Sequence, residues 1–120
     1  MSLPHFHHEY FRKDFLYSEL ENGENFRTVA EIFSLLSDTS RLRIFWLLCH
    51  SRECVLDIAE AMKMTNPAVS HHLRALTESG LLESRREGRE VYYRAADTAQ
   101  IRSLHEIVEQ VMDITCPEKT

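Results

Sequence analysis

A mostly α-helical fold closed by a single β-hairpin is predicted by three features of this 120-residue sequence. Apolar residues recur at spacings of three and four up to Gly80 and again beyond Asp97, which is the period of amphipathic helices. Between those stretches the period drops to two, the pattern of paired strands. Capping and helix-stopping residues punctuate the helical stretches at short intervals, so turns rather than long loops join them.

The first helix is read over residues 8–20, where Phe11, Phe15 and Leu16 keep helical spacing, and residues 21–25 (ENGEN) break it. Residues 26–37 give a second, with Val29, Ile32, Phe33 and Leu36. Ser37 or Asp38 caps a third over residues 39–50, which carries Leu42, Phe45, Trp46 and Cys49 on one side. Being apolar around most of its girth, that helix belongs in the core. A short helix follows at about 54–62, and Lys63-Met64-Thr65 is a tight turn into a helix at 66–79.

This last helix has the clearest limits. Thr65 or Asn66 can serve as N-cap, and Pro67 sits in the first turn, where its missing N–H would be unpaired anyway. Val69, Leu73 and Leu76 form one apolar stripe, and Gly80 ends the helix. His71 and His72 lie about 100° apart on the helix, so one turns outward with Ser70 and Arg74 while the other sits at the edge of the stripe.

After Gly80, LLESRR and REVYYRA flank Glu87-Gly88 as a hairpin. Asp97 then caps a final helix at about 97–114, with Ile101, Leu104, Ile107, Val108 and Val111 as its stripe. That stripe is wide for so small a chain and is expected to pack on a partner subunit. The chain is divided into a helical arm (1–25), a main domain (26–115) and a tail (116–120).

Composition narrows the function. Hydrophobic residues make up 43% and charged residues 28%, as in ordinary soluble proteins, and no apolar run is long enough for a bilayer. No signal peptide is visible. Three cysteines, Cys49, Cys54 and Cys116, are too few and too odd for a disulfide scaffold, so a cytoplasmic location is expected. There is no H-E-x-x-H, no nucleophile elbow and no glycine-rich phosphate loop, and with only three glycines an active-site loop has little to be built from; an enzyme is not expected. Net charge is −5, which by itself disfavours a nucleic-acid partner. Its distribution reverses that reading: residues 41–94 hold nine Arg/Lys against seven Asp/Glu, and the acidic excess lies outside them. A local basic face can bind phosphates on an acidic chain.

Two short helices joined by a turn and followed at once by a hairpin make a winged helix-turn-helix. The helix at 66–79 is then the recognition helix, with Asn66, Ser70, His71 and Arg74 as candidates to meet double-stranded DNA in the major groove. Arg85, Arg86 and Arg89 at the hairpin tip are the wing, placed to neutralise phosphates or reach an adjacent minor groove. A winged helix that binds protein instead would carry apolar anchors where Arg74, Arg85 and Arg89 stand.

The stretches SDTSRLRIFWLL (37–48), ECVLDIAEAM (53–62) and NPAVSHHLRALTESGLLESRREGREVYYR (66–94) resemble the ArsR/SmtB family of metal-responsive repressors. The resemblance covers roughly residues 26–115 and is strongest in V-S-x-H-L, the G-L turn and R-x-G-R-x-V-Y-Y. Asp38-Thr39-Ser40 departs from the Asp-Pro usual there, but both start a helix. The resemblance implies a homodimer, paired through terminal helices, that binds operator DNA and lets go when an inducer binds.

The family's metal patterns can be compared position by position. On the final helix D-x-H is followed ten residues later by H-x-x-E or H-x-x-H; here Asp97 matches, Ala99 and Gln110 replace the imidazoles, and Asp113 takes the last place. Two carboxylates make a weak zinc site. His105 and Glu109, one turn apart, are read as a surface pair and an unorthodox alternative. The second pattern, C-V-x-D, is met by Cys54 and Asp57, with Leu56 where thiophilic-metal sensors carry a second Cys. The resemblance completes this site from the N-terminal segment, where His5, His7 and His8 stand. A thiolate, a carboxylate and imidazoles suit zinc or a similar divalent ion as inducer. A redox- or sulfide-responsive repressor, or one without a ligand, stays open.

Overall fold

A computed structural model describes residues 12–113, which fall into two compact units divided between Ser34 and Leu35. In the first unit α1 runs Lys13–Glu21 and α2, Gly23–Leu36, begins after a single-residue break. The break is shorter than the ENGEN stretch predicts, because the Asn22 side chain accepts the backbone N–H of Glu24 and so caps α2 one turn early. Phe15, Tyr17, Leu20, Phe26 and Phe33 on these helices are exposed. The predicted start of the first helix, residues 8–11, lies outside the described residues.

The second unit holds α3 (Thr39–His50), β1 (Glu53–Cys54), α4 (Val55–Met62), α5 (Asn66–Glu78), β2 (Leu82–Glu87), β3 (Glu90–Ala95) and α6 (Ala99–Met112). Asp38 caps α3, its carboxylate accepting the Arg41 N–H at 3.0 Å. The side of α3 facing the core is Ile44, Phe45 and Leu48, with Leu42, Trp46 and Cys49 only half-buried, so the buried stripe is rotated from the predicted one. Val69, Leu73 and Leu76 of α5 are buried as their spacing predicts, together with Ile58, Leu81 and Leu82.

Between α4 and α5 the chain turns through Lys63, which adopts a left-handed φ of 56° at the helix end. Thr65, not Asn66, is the N-cap of α5, accepting from Ala68 N at 3.2 Å. Gly80, at φ 88°, closes α5 while Leu81 N bonds back to the Leu76 carbonyl.

The sheet has three strands in the order β1-β3-β2, all antiparallel. Sequence periodicity does not show β1, because two residues carry no period. It exists by pairing Glu53 with Tyr93 and Cys54 with Tyr92. The hairpin turn is one residue later than read: Glu87 still pairs with Glu90, leaving Gly88 and Arg89 as the two-residue loop. Gly88 supplies the positive φ of 64° that such a loop needs in its first position. At α6 the cap is Thr98, whose side chain accepts the Ile101 N–H, and not Asp97, which pairs with Arg102 at 2.5 Å.

Candidate nucleic-acid interface and metal ligands

On α5, Asn66, Ser70 and Arg74 follow one another at intervals of four and so form a row, with His71 beside it. Asn66, His71 and Arg74 are exposed and Ser70 is half-buried. The two histidines divide as the helical geometry requires. His71 faces solvent, while half-buried His72 accepts a hydrogen bond at Nδ1 from Arg41 Nε at 3.2 Å. A guanidinium only donates, so this contact requires a lone pair on Nδ1 and places the proton of the neutral ring on Nε2. Burial is the main influence lowering the His72 pKa; nearby Asp38 opposes it, and Arg41 and His71 add to it. The link ties α3 to the helix that carries the exposed row.

In the wing, Arg94 of β3 pairs with Glu83 directly across the ladder at 2.6 Å. Arg52, just before β1, holds Glu87 through two hydrogen bonds and lies over the Tyr92 ring at 4.6 Å. These pairs brace the hairpin, and the hydrogen-bonded Arg52 guanidinium holds the Glu87 carboxyl below its ordinary pKa. Arg85, Arg86 and Arg89 are exposed and have no carboxylate within ion-pair distance among the described residues. Arg94 of the hairpin and Arg52 beside it are thus neutralised internally, while Arg85, Arg86 and Arg89 are presented outward. Arg85 and Arg86, being successive strand residues, point to opposite faces, and Arg89 sits at the tip.

Of the metal ligands expected from sequence, Cys54 and Asp57 come together: the thiol lies 3.4 Å from Asp57 Oδ2. Cys54 is not inside the helix as read but ends β1 and caps α4, which still leaves Asp57 one turn away. The thiol is buried and Asp57 is exposed, so the pair sits at the protein surface. His5, His7 and His8, and likewise Cys116, lie outside the described residues. Asp97 and Asp113 flank opposite ends of the 14-residue α6, about 21 Å of helix.

His105 and Glu109 are not the surface pair that their spacing suggested. The Glu109 side chain is 5% exposed and that of His105 13%. Their Nε2 and Oε2 atoms are 3.0 Å apart, and His50, from the end of α3, brings its Nε2 to 3.1 Å from each of them. Trp46 donates its indole N–H to the same Glu109 oxygen at 3.1 Å. His50 and Trp46 were not expected here. The available signal was that Ile101, His105 and Glu109 stand at i, i+4 and i+8, so that the two polar residues continue the row of a buried isoleucine.

Among known proteins, the family model described as bacterial regulatory protein, arsR family, matches residues 38–84. The transcriptional repressor SmtB homolog of Synechocystis sp. is 39% identical over 95 residues, 79% of this chain and 72% of that protein. The cadmium resistance transcriptional regulatory protein CadC homolog of Staphylococcus aureus is 37% identical over 84 residues, 69% of each chain. The solved homodimeric winged helix-turn-helix DNA-binding domain Mb0332 of Mycobacterium bovis is 35% identical, with a TM-score of 0.68 over 76% of this chain and 83% of that one.

Proposed function

Because this chain belongs to the ArsR/SmtB family of bacterial transcriptional regulators, we propose that it is a homodimeric repressor that holds operator DNA and releases it when an inducer binds. The observation that carries the reading is the division of the basic residues. Arg52 and Arg94 are spent on bracing the hairpin, while Arg85, Arg86 and Arg89 are left for phosphates. Beside them the row of Asn66, Ser70 and Arg74, with exposed His71, supplies side chains able to read base edges in a major groove. Two such helices related by a dimer axis would read two half-sites about one DNA turn apart.

Dimerisation is supported by α6, which leaves Ile107, Val111 and Met112 exposed in the single chain, and by the exposed aromatic residues of α1 and α2. The related Mb0332 domain is itself homodimeric. The inducer is a divalent metal such as zinc, with Cys54 and Asp57 as two donors and the remaining ligands drawn from His5, His7 and His8. A metal can expel DNA only by favouring a DNA-incompetent form of the dimer, by a coupling of about 1–3 kcal/mol.

Selection of duplexes from a randomised pool tests the DNA reading. The wild-type chain is expected to enrich a two-fold symmetric site, and Ser70→Ala with His71→Ala to lose that preference while still binding DNA. No enrichment by the wild type, or an identical preference in the variant, refutes the assignment of α5.

A further inference from the structure

We propose that His50, His105 and Glu109 form a second divalent-metal site, of the zinc class, inside each chain between α3 and α6. All three ligand atoms lie within 4.8 Å of one another. They form a nearly equilateral triangle with sides of 3.0, 3.1 and 3.1 Å. A tetrahedral zinc about 2.0 Å from its ligands spaces them about 3.3 Å apart. The side chains therefore need to separate by only a few tenths of an ångström to present one face of a tetrahedron.

The chemistry of the donors points the same way. Glu109 Oε2 is approached by Trp46 Nε1 and by both imidazole Nε2 atoms. If both rings carry their proton on Nε2, three N–H groups converge on one oxygen that has two lone pairs. If either ring presents a lone pair there, it faces the carboxylate's own. A cation above the triangle relieves both conflicts, with two imidazole lone pairs and a carboxylate converging on it.

The surroundings fit a site that is ordered yet reachable. The His50 ring packs against Trp46 with centroids 4.6 Å apart and meets His105 edge-on at 4.7 Å, so both imidazoles are held in place. The indole N–H on the carboxylate is the kind of outer contact that orients a metal-binding Glu. A cleft of about 520 Å³, lined in part by His50, His105, Asp97 and Glu106, gives an ion a route in and leaves room for a water as fourth ligand. None of the three residues stands at a position of either metal pattern that the family resemblance implies.

The test is a titration of the full-length chain with Co²⁺ alone and no DNA, so its failure and that of the repressor reading are separable. Cys54→Ser with His5→Ala, His7→Ala and His8→Ala first removes the thiolate and imidazoles of the other candidate site, leaving there only the single carboxylate of Asp57. This background is expected to bind one cobalt per chain with the ligand-field spectrum of a four-coordinate nitrogen and oxygen site and no thiolate charge-transfer band. Zinc should displace it. Adding His50→Gln or His105→Gln should weaken binding at least a hundredfold, and Trp46→Phe, which keeps every ligand, about tenfold or more. Proton NMR of the cobalt-loaded background, which needs no change at the ligands, should show two shifted exchangeable imidazole N–H signals. Absent cobalt binding, unchanged affinity in His50→Gln or Trp46→Phe, or the lack of those two signals would overturn the proposal.

Discussion

Replacing Arg89 by alanine should flatten the salt dependence of DNA binding. Arg89 stands at the wing tip and has no carboxylate partner among the described residues, so its charge is available to a phosphate. A dimer carries two copies. Each phosphate contact adds about −0.9 to the slope of log affinity against log salt, so losing both should make that slope shallower by about 2. Between about 50 and 200 mM salt the wild type should then lose roughly tenfold more affinity than the variant. Arg94→Ala is the matched control. Arg94 is held by Glu83 at 2.6 Å, so it is largely neutralised already and its loss should barely alter the slope. Fluorescence anisotropy of a labelled duplex at four salt concentrations measures both. An unchanged slope in Arg89→Ala, or equal changes in the two variants, would refute the division of the wing arginines into bracing and phosphate-binding sets.

Three further outcomes follow from the geometry. Val111 is 81% exposed in the single chain, so Val111→Asp should leave the subunit folded but place a charge in the dimer contact; sedimentation should show monomers, and an unchanged dimer would move the interface elsewhere. His72 has a folded pKa below its unfolded value, so the stability it contributes is complete above that unfolded value, about 6.5, and is lost as pH falls through the lower folded one. His72→Gln keeps an acceptor for Arg41 without titrating, so its urea midpoint should fall less than the wild type's between about pH 7 and pH 5; parallel declines would contradict this. Lys63 holds a left-handed φ of 56°, so Lys63→Gly should stabilise the chain by roughly 0.5–1 kcal/mol in urea denaturation, and a loss of stability would show that the turn is not strained.

How much was legible in the sequence follows from whether each signal was local. The limits of α5 were readable because Thr65, Pro67 and Gly80 act within a turn of where they stand. The hairpin was readable from its period, and only its loop was misplaced by one residue. β1 was not, since it exists only through pairing with β3 some forty residues later. On α6, Ile101, Leu104, Ile107, Val108 and Val111 read as one stripe for a partner subunit, but only Ile107 and Val111 of it are exposed in the single chain, and Ile101 is buried within it. The face turned inward is marked by Ile101 and then by His105 and Glu109, which look like surface residues until His50 and Trp46 are known to meet them. Those contacts span 55 to 63 residues, a separation over which helical spacing says nothing.

DNA binding under ligand control can be measured by titrating the full-length chain into its selected duplex with and without each of several divalent metals. The expected result is tight binding without added metal and an affinity lowered about 5- to 150-fold by at least one of them, the range of an ordinary coupling between two sites. Tight binding that no metal changes would show that no such metal is the inducer, and no preference for the selected duplex over random DNA at any salt concentration would show that the chain is not an operator-binding repressor.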